Sequence, residues 1–463
     1  MNDDLRKNCL QRATGDALKR TLWKAVLLTL LCFSSPSSPG LADGPRTTIR
    51  YPLGNGTRLI VRRNIGSEIV SVAVLVLAGP ALELEGQDGI TNFLAKMLLR
   101  GTTTRKAEEV AIEFDACGAE VKAGTEWDYL ILTLRVPRHE YRTALKLLSD
   151  CLFDPVFDEN EIEVTRKKIL GDIAKTEDSM YDSTVRIFNA THYGDHPYNK
   201  PLLGTTETIG SLTKNNLILF FKEYIRPENT MISFVGDVPI YETLEFMRTF
   251  YGRGPKSGAS PRTRLYTLLT DGGRLSPQGG ESVIVTKKRE QTFILAGITA
   301  PPVDHKDYPV LKVIDFLLGG GMSSRLFVNL RDRRSLGYDV SSSYPIKKGP
   351  STFILYGGCA PEKEIELMSG MIEEARRLRE EPVDEEELSR AKAKLKGNLA
   401  LRNQVSLSLA ESMGMYELFG IGHTFTSRLP ELVENVSADD ILQAARLYFQ
   451  PDRWTIVITR GQP

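Results

Sequence analysis

At 463 residues, 41% hydrophobic and 25% charged, the chain has the composition of an ordinary globular protein large enough for two or more domains. Its 59 Lys and Arg are matched by 59 Asp and Glu, so no net basic field draws it to nucleic acid or to an anionic membrane. A chain of this size needs no disulfide staples, which excludes the small cysteine-stapled class.

The first distinctive element lies at the N-terminus. Lys19, Arg20 and Lys24 precede the apolar run Ala25–Phe33, and a small-residue site follows at Gly40-Leu41-Ala42. This pattern predicts a signal peptide over residues 1–42, cut after Ala42. The run is too short to span a bilayer, which takes about 20 residues; a retained anchor helix is the alternative. Leu31 is too bulky to precede a lipid-bearing Cys32. The cysteines left after cleavage, Cys117, Cys151 and Cys359, are odd in number and widely spaced, so no disulfide framework is implied. An exported chain without disulfides points to a periplasmic or secreted bacterial protein, with no membrane contact once the signal is removed.

Downstream, alternating runs predict strands at Leu59–Arg62, Val70–Leu77 and Tyr129–Val136. Helices are expected over Thr91–Leu99, Lys106–Cys117, Glu140–Cys151 and Glu159–Lys175. Two distant stretches then share one pattern at a constant offset. Thr213 and Ser437 each read as an N-cap, Tyr224 and Tyr448 close the helix, and Pro227 and Pro451 lead into β runs at Met231–Val235 and Trp454–Ile458. Asp158-Glu-Asn-Glu161 and Asp384-Glu-Glu-Glu387 start a second matched pair of helices. The chain therefore reads as an internal duplication with halves at 46–255 and 281–460, and a Gly/Pro/Ser-rich linker at 256–280. Mixed hairpin and helical connections favour α+β layers over a doubly wound parallel sheet.

The chemistry-bearing segments are Gly89–Thr102, Arg166–Ile173 and Leu318–Tyr338. In the first, Asn92 and Lys96 stand where an inverted H-x-x-E-H zinc motif has its histidines, and Ala95 stands at the general-base glutamate. With His196-Pro197-Tyr198, Gly204, Tyr224-Ile-Arg-Pro227 and Val235-Gly236-Asp237, these segments resemble the insulinase/pitrilysin family of zinc peptidases, including its processing-peptidase subunits, along nearly the whole chain after the signal. The resemblance places the third metal ligand at Asp172, one methylene shorter than the family's Glu, and the supporting Glu at Thr165. Catalytic zinc takes three protein ligands and an open water position, so Asp172 alone cannot hold it. No metal is expected in this chain.

What the resemblance retains is Arg331 and Tyr338, matching the Arg and Tyr that the family's second domain presents to substrate, with Gly319 and Gly320 in a loop that lets backbone approach closely. A surface ion pair and a packed ring are the plain alternatives for Arg331 and Tyr338. His192-x-x-x-His196 is the one close histidine pair, but Gly194 and Pro197 argue for a loop there. The resemblance implies two homologous α/β sandwich domains in a clam-shell and a non-catalytic, substrate-binding subunit whose homologous H-x-x-E-H partner carries the zinc. Two rivals stand beside it: a structural or peptide-binding, core-like protein without a protease partner, and a stand-alone metallopeptidase with an unusual metal site.

Overall fold

The computed structural model describes residues 47–253 and 279–462; the signal peptide and nearly all of the linker expected from the sequence lie outside them. In the first half the strands are β1 (Thr48–Pro52), β2 (Arg58–Arg63), β3 (Ile69–Val76), β4 (Glu120–Thr125), β5 (Leu130–Pro137) and β6 (Thr230–Gly236). Its main helices are α1 (Ile90–Met97), α2 (Ala107–Ala116), α3 (Tyr141–Phe153), α4 (Glu159–Asp178), α5 (Met180–Tyr193) and α6 (Lys214–Tyr224). The second half carries β7 (Ser282–Lys288), β8 (Thr292–Ala300), β9 (Asp339–Ser343), β10 (Ser351–Cys359) and β11 (Thr455–Gln462). Its main helices are α7 (Tyr308–Gly319), α8 (Glu364–Glu380), α9 (Glu385–Gln404), α10 (Ser406–Leu418) and α11 (Ala438–Tyr448). The architecture is α+β.

The duplication is visible in the sheets. The first runs β1-β2-β6-β3-β5-β4 and the second β7-β11-β8-β10-β9, so the two orders coincide once β1 is set aside. In each, one parallel pair (β2 with β6, β7 with β11) sits beside antiparallel neighbours. The central strands β3 and β8 are near-continuous apolar runs because both their faces are covered. Helix starts obey the cap chemistry read from sequence: Asp158, Thr213, Asp384 and Ser437 each accept backbone N–H groups of the first turn.

The two halves complete each other's layers. Helix α5 of the first half packs on β8 and β11 of the second sheet, and the equivalent α10 packs on β3 and β6 of the first. Each crossing is made by one large side chain against one glycine. Phe188 of α5, fully buried, fills the space over Gly297 of β8, where an added methyl group would collide with its ring. At the equivalent crossing the sizes are reversed: Leu75 of β3 lies against Gly414 of α10, where an added methyl would meet it at 2.5 Å. Thr184 of α5 also donates to Thr459 of β11 at 2.6 Å.

Candidate functional site

Helix α1 carries Asn92, Ala95 and Lys96, the residues that the sequence resemblance sets at the metal-motif positions. It starts at Gly89, whose φ of 89° suits glycine and whose bare Cα lets Leu203 and Gly204 approach closely. No side chain within the helix caps this end. Glu83 does so from outside, its two carboxylate oxygens accepting Gly89 N–H at 2.9 Å and Thr91 N–H at 3.0 Å. Burial pushes the Glu83 carboxyl up to about 7 despite these donors.

From this start the helix buries Asn92 and Ala95 and directs Lys96 toward α4. There the Lys96 ammonium lies 3.5 Å from Asp172 Oδ2, and Lys175 flanks the same carboxylate at 4.0 Å. Asp172, which the resemblance sets at the third-ligand position, is thus the partner of Lys96. Asn92 is 4% exposed with its Nδ2 unpartnered, and the Thr165 hydroxyl, fully buried, is unpartnered too. An ammonium, a carboxamide, a methyl and one short carboxylate do not fit zinc, and among the described residues no group of three His, Cys, Asp or Glu could hold a metal ion.

A cavity of about 810 Å³ adjoins this point, lined by Asn92 and Lys96, by Ala123–Thr125 of β4 and by Trp127. β4 is the last strand of its sheet and pairs only with β5 among the described residues. Lys200 also lines the cavity, donating to the Glu83 carbonyl at 2.6 Å and pairing with Asp88 at 3.5 Å. Glu83, Trp127 and Lys200 carry no sequence signal of their own; only their packing beside α1 brings them in.

The second half supplies the other expected residues. Arg331 lies on a turn of π-helix, Phe327–Asp332, a geometry that recurs at functional sites. It is exposed, with its guanidinium 4.8 Å over the Phe327 ring. Tyr338 is 48% exposed and donates to Gln291 Oε1 at 2.6 Å. Its ring covers Gly358, where a side chain would collide with it. Partial burial, then the Asp339 charge, raises its pKa, so it stays a phenol and a donor.

Gly319 and Gly320 are placed differently from expectation. Gly319 ends α7, and its bare Cα lies against Ser341 and Ser342 of β9, while Gly320 lies against Phe316. The close approach they permit is to the chain's own strand and helix. None of these four residues lines the cavity beside Lys96.

The histidine pair is also resolved. His192 belongs to the last turn of α5, bonded to Thr455 Oγ1 at 2.9 Å and Thr299 Oγ1 at 3.2 Å; Gly194 ends the helix before His196. Cys117, Cys151 and Cys359 are free and buried.

Residues 58–206 match the model of the insulinase family, peptidase family M16, and residues 211–395 match the model of the M16 inactive domain. The chain belongs to the M16 insulinase family. It is 29% identical to an uncharacterized zinc protease of Rickettsia felis, over 86% of this chain and 94% of that one. An uncharacterized zinc protease of Bacillus subtilis is 27% identical over 87% and 96%. Two solved M16-like folds superpose at a TM-score of 0.81. One is a protease from Helicobacter pylori, at 20% identity over 90% of this chain and all of that one. The other is a peptidase M16 inactive domain from Pseudomonas fluorescens, at 17% identity over 90% and 98%. The family model's first match, residues 58–206, includes Asn92, Ala95 and Lys96.

Proposed function

We propose that this chain is the non-catalytic, substrate-binding subunit of a two-subunit zinc peptidase that acts on peptides or unfolded polypeptides. The observation that carries the reading is the Lys96–Asp172 pair at the metal position, in a chain that keeps Arg331 and Tyr338 exposed. A homologous partner bearing H-x-x-E-H would hold the zinc. The signal-peptide pattern of residues 1–42 supports a periplasmic or secreted site of action.

The chain's own contribution is recognition. A guanidinium and a phenol both donate to a peptide carbonyl, and more strongly to the oxyanion that grows on it. The open edge of β4 beside the cavity offers an extended peptide main-chain pairing, with alternate side chains entering the cavity.

The test is zinc analysis and cleavage of an unstructured peptide, for the purified chain alone and mixed with the intact H-x-x-E-H homologue from the same genome. Zinc-free and silent alone, but stimulating the homologue, is the expected outcome. Zinc-bound and active alone would overturn the reading, and a homologue indifferent to the chain would favour the peptide-binding, core-like rival.

A further inference from the structure

Lys96 stands in the wall between two cavities. The larger, of about 810 Å³, lies along residues 123–125 of β4, and a second, of about 670 Å³, lies along residues 119–123; Lys96 and Ala123 line both. Together they follow the open edge of β4, with Lys96 midway. Asn92 shares that face of α1, one turn earlier, and lines the larger cavity. It is 4% exposed, and its Nδ2 has no hydrogen-bond partner. A buried donor without an acceptor costs free energy, so it marks a place that an acceptor would complete. Across the wall, the fully buried Thr165 of α4 lines the second cavity with its hydroxyl unpartnered.

We propose that Lys96 and Asn92 form a receptor for a carboxylate carried by the bound peptide, its free C-terminus or an acidic side chain. The inference rests on the reading that the cavity holds peptide. Charge decides the class of ligand. Lys96 and Lys175 lie 3.5 Å and 4.0 Å from one carboxylate, Asp172, which leaves one positive charge in excess. A singly charged carboxylate answers that excess and accepts from both the ammonium and the amide, in charge-assisted hydrogen bonds. Lys96 then lies between the arriving carboxylate and Asp172. A neutral peptide carbonyl would accept the same donors without answering the charge.

The other charged residues around the two cavities leave this role to Lys96. In the larger, Arg186 is held by Glu177 at 2.7 Å, and Lys200 by the Glu83 carbonyl and Asp88. Its remaining carboxylates, Asp182 and Glu207, stand in the first turns of α5 and of the helix Thr206–Ser211, where the positive end of each helix offsets them. In the second cavity Glu120 is taken by Lys122 at 2.5 Å and Arg135 at 3.1 Å. That sets Asp115 alone against Lys96, Lys168 and Arg100, the last of these 3.8 Å from Glu161. The field on both sides of Lys96 therefore favours an anion.

The experiment measures, by fluorescence anisotropy, binding of labelled unstructured peptides to the purified chain without a partner. One pair of peptides differs only in a free or amidated C-terminus, and a second pair, both amidated, only in an internal Glu or Gln. The carboxylate-bearing member of at least one pair should bind about 10–100-fold more tightly, the range for a hydrogen bond to a charged group, and the pair that discriminates tells terminus from side chain. Lys96→Met should abolish the preference. Asp172→Asn, which frees the ammonium from its competing carboxylate, should widen it while leaving the neutral peptides unmoved; should Lys96→Met fail to fold, that widening decides alone. Equal binding within both pairs overturns the proposal and leaves the peptide-holding reading of the cavity intact. A preference that neither variant moves overturns it too, since the carboxylate is then read elsewhere. Binding of none of the four peptides would sink the peptide-holding reading and this proposal with it.

Discussion

The exchange of α5 and α10 makes the contact of Phe188 with Gly297 a sensitive point, because one ring there joins a helix of the first half to a strand of the second. Phe188 is fully buried in a small cluster with Leu295, Ile354 and Val457 and stacks on His192 at 5.1 Å. Phe188→Ala should cost about 3–5 kcal/mol, the range for emptying a buried phenylalanine site. Gly297→Leu alone should cost about 1–3 kcal/mol or more, since its side chain enters the space of the ring. Combined, the two changes restore volume and reproduce the opposite crossing, where Leu75 on the strand meets Gly414 on the helix. The double variant should therefore be about 2–3 kcal/mol more stable than the sum of the single losses, the coupling expected of side chains in direct contact. Urea unfolding followed by fluorescence and by far-ultraviolet dichroism measures all four corners of the cycle. Additive losses would refute the contact as the joint between the halves.

Other outcomes follow from the site and the seam between the halves. In the complex with its partner, Arg331→Ala should lower peptide turnover by about 10²–10³-fold without loss of assembly, the range for one oxyanion donor; an unchanged rate would remove Arg331 from substrate binding. The fourfold change Asn92→His, Ala95→Glu, Lys96→His and Asp172→Glu should let the chain retain one zinc per molecule by mass spectrometry, and failure to retain any would mean that α1 and α4 no longer hold metal-site geometry. Lys347, in the turn between β9 and β10, is 2% exposed, and burial lowers its pKa to about 7. Because it binds its proton less readily folded than unfolded, its contribution to stability rises with pH between about 7 and 10.5 and is lost as pH falls through that window. Wild type minus Lys347→Met should thus show unfolding free energy climbing by about 1.4 kcal/mol per pH unit from pH 7.5 to 9, and a flat difference would contradict it.

The sequence made the repeat legible because caps are local chemistry: Asp158 and Asp384, Thr213 and Ser437 announce helix starts through a side chain and the next three residues, whatever the rest of the chain does. It could not show the helix exchange, since the apolar face of α5 has the same period whichever sheet receives it. The same division runs through the site. Missing ligands at Asn92, Ala95 and Lys96 are readable as absences from a spaced motif, but the Lys96–Asp172 pair joins residues 76 apart and becomes visible only when α1 and α4 are side by side. Lys347 is the extreme case. Lys347-Lys348-Gly349 has the composition of a solvated turn, and pattern alone assigns both lysines to water. Yet Lys347 enters the seam because the first half presents three rings there, Trp127, Tyr193 and Tyr198, drawn from a hairpin, the end of α5 and the turn after it. A buried charge of this kind is specified by two distant segments jointly, so it can be inferred only from the packed halves, and for the same reason it is suited to report whether they remain packed.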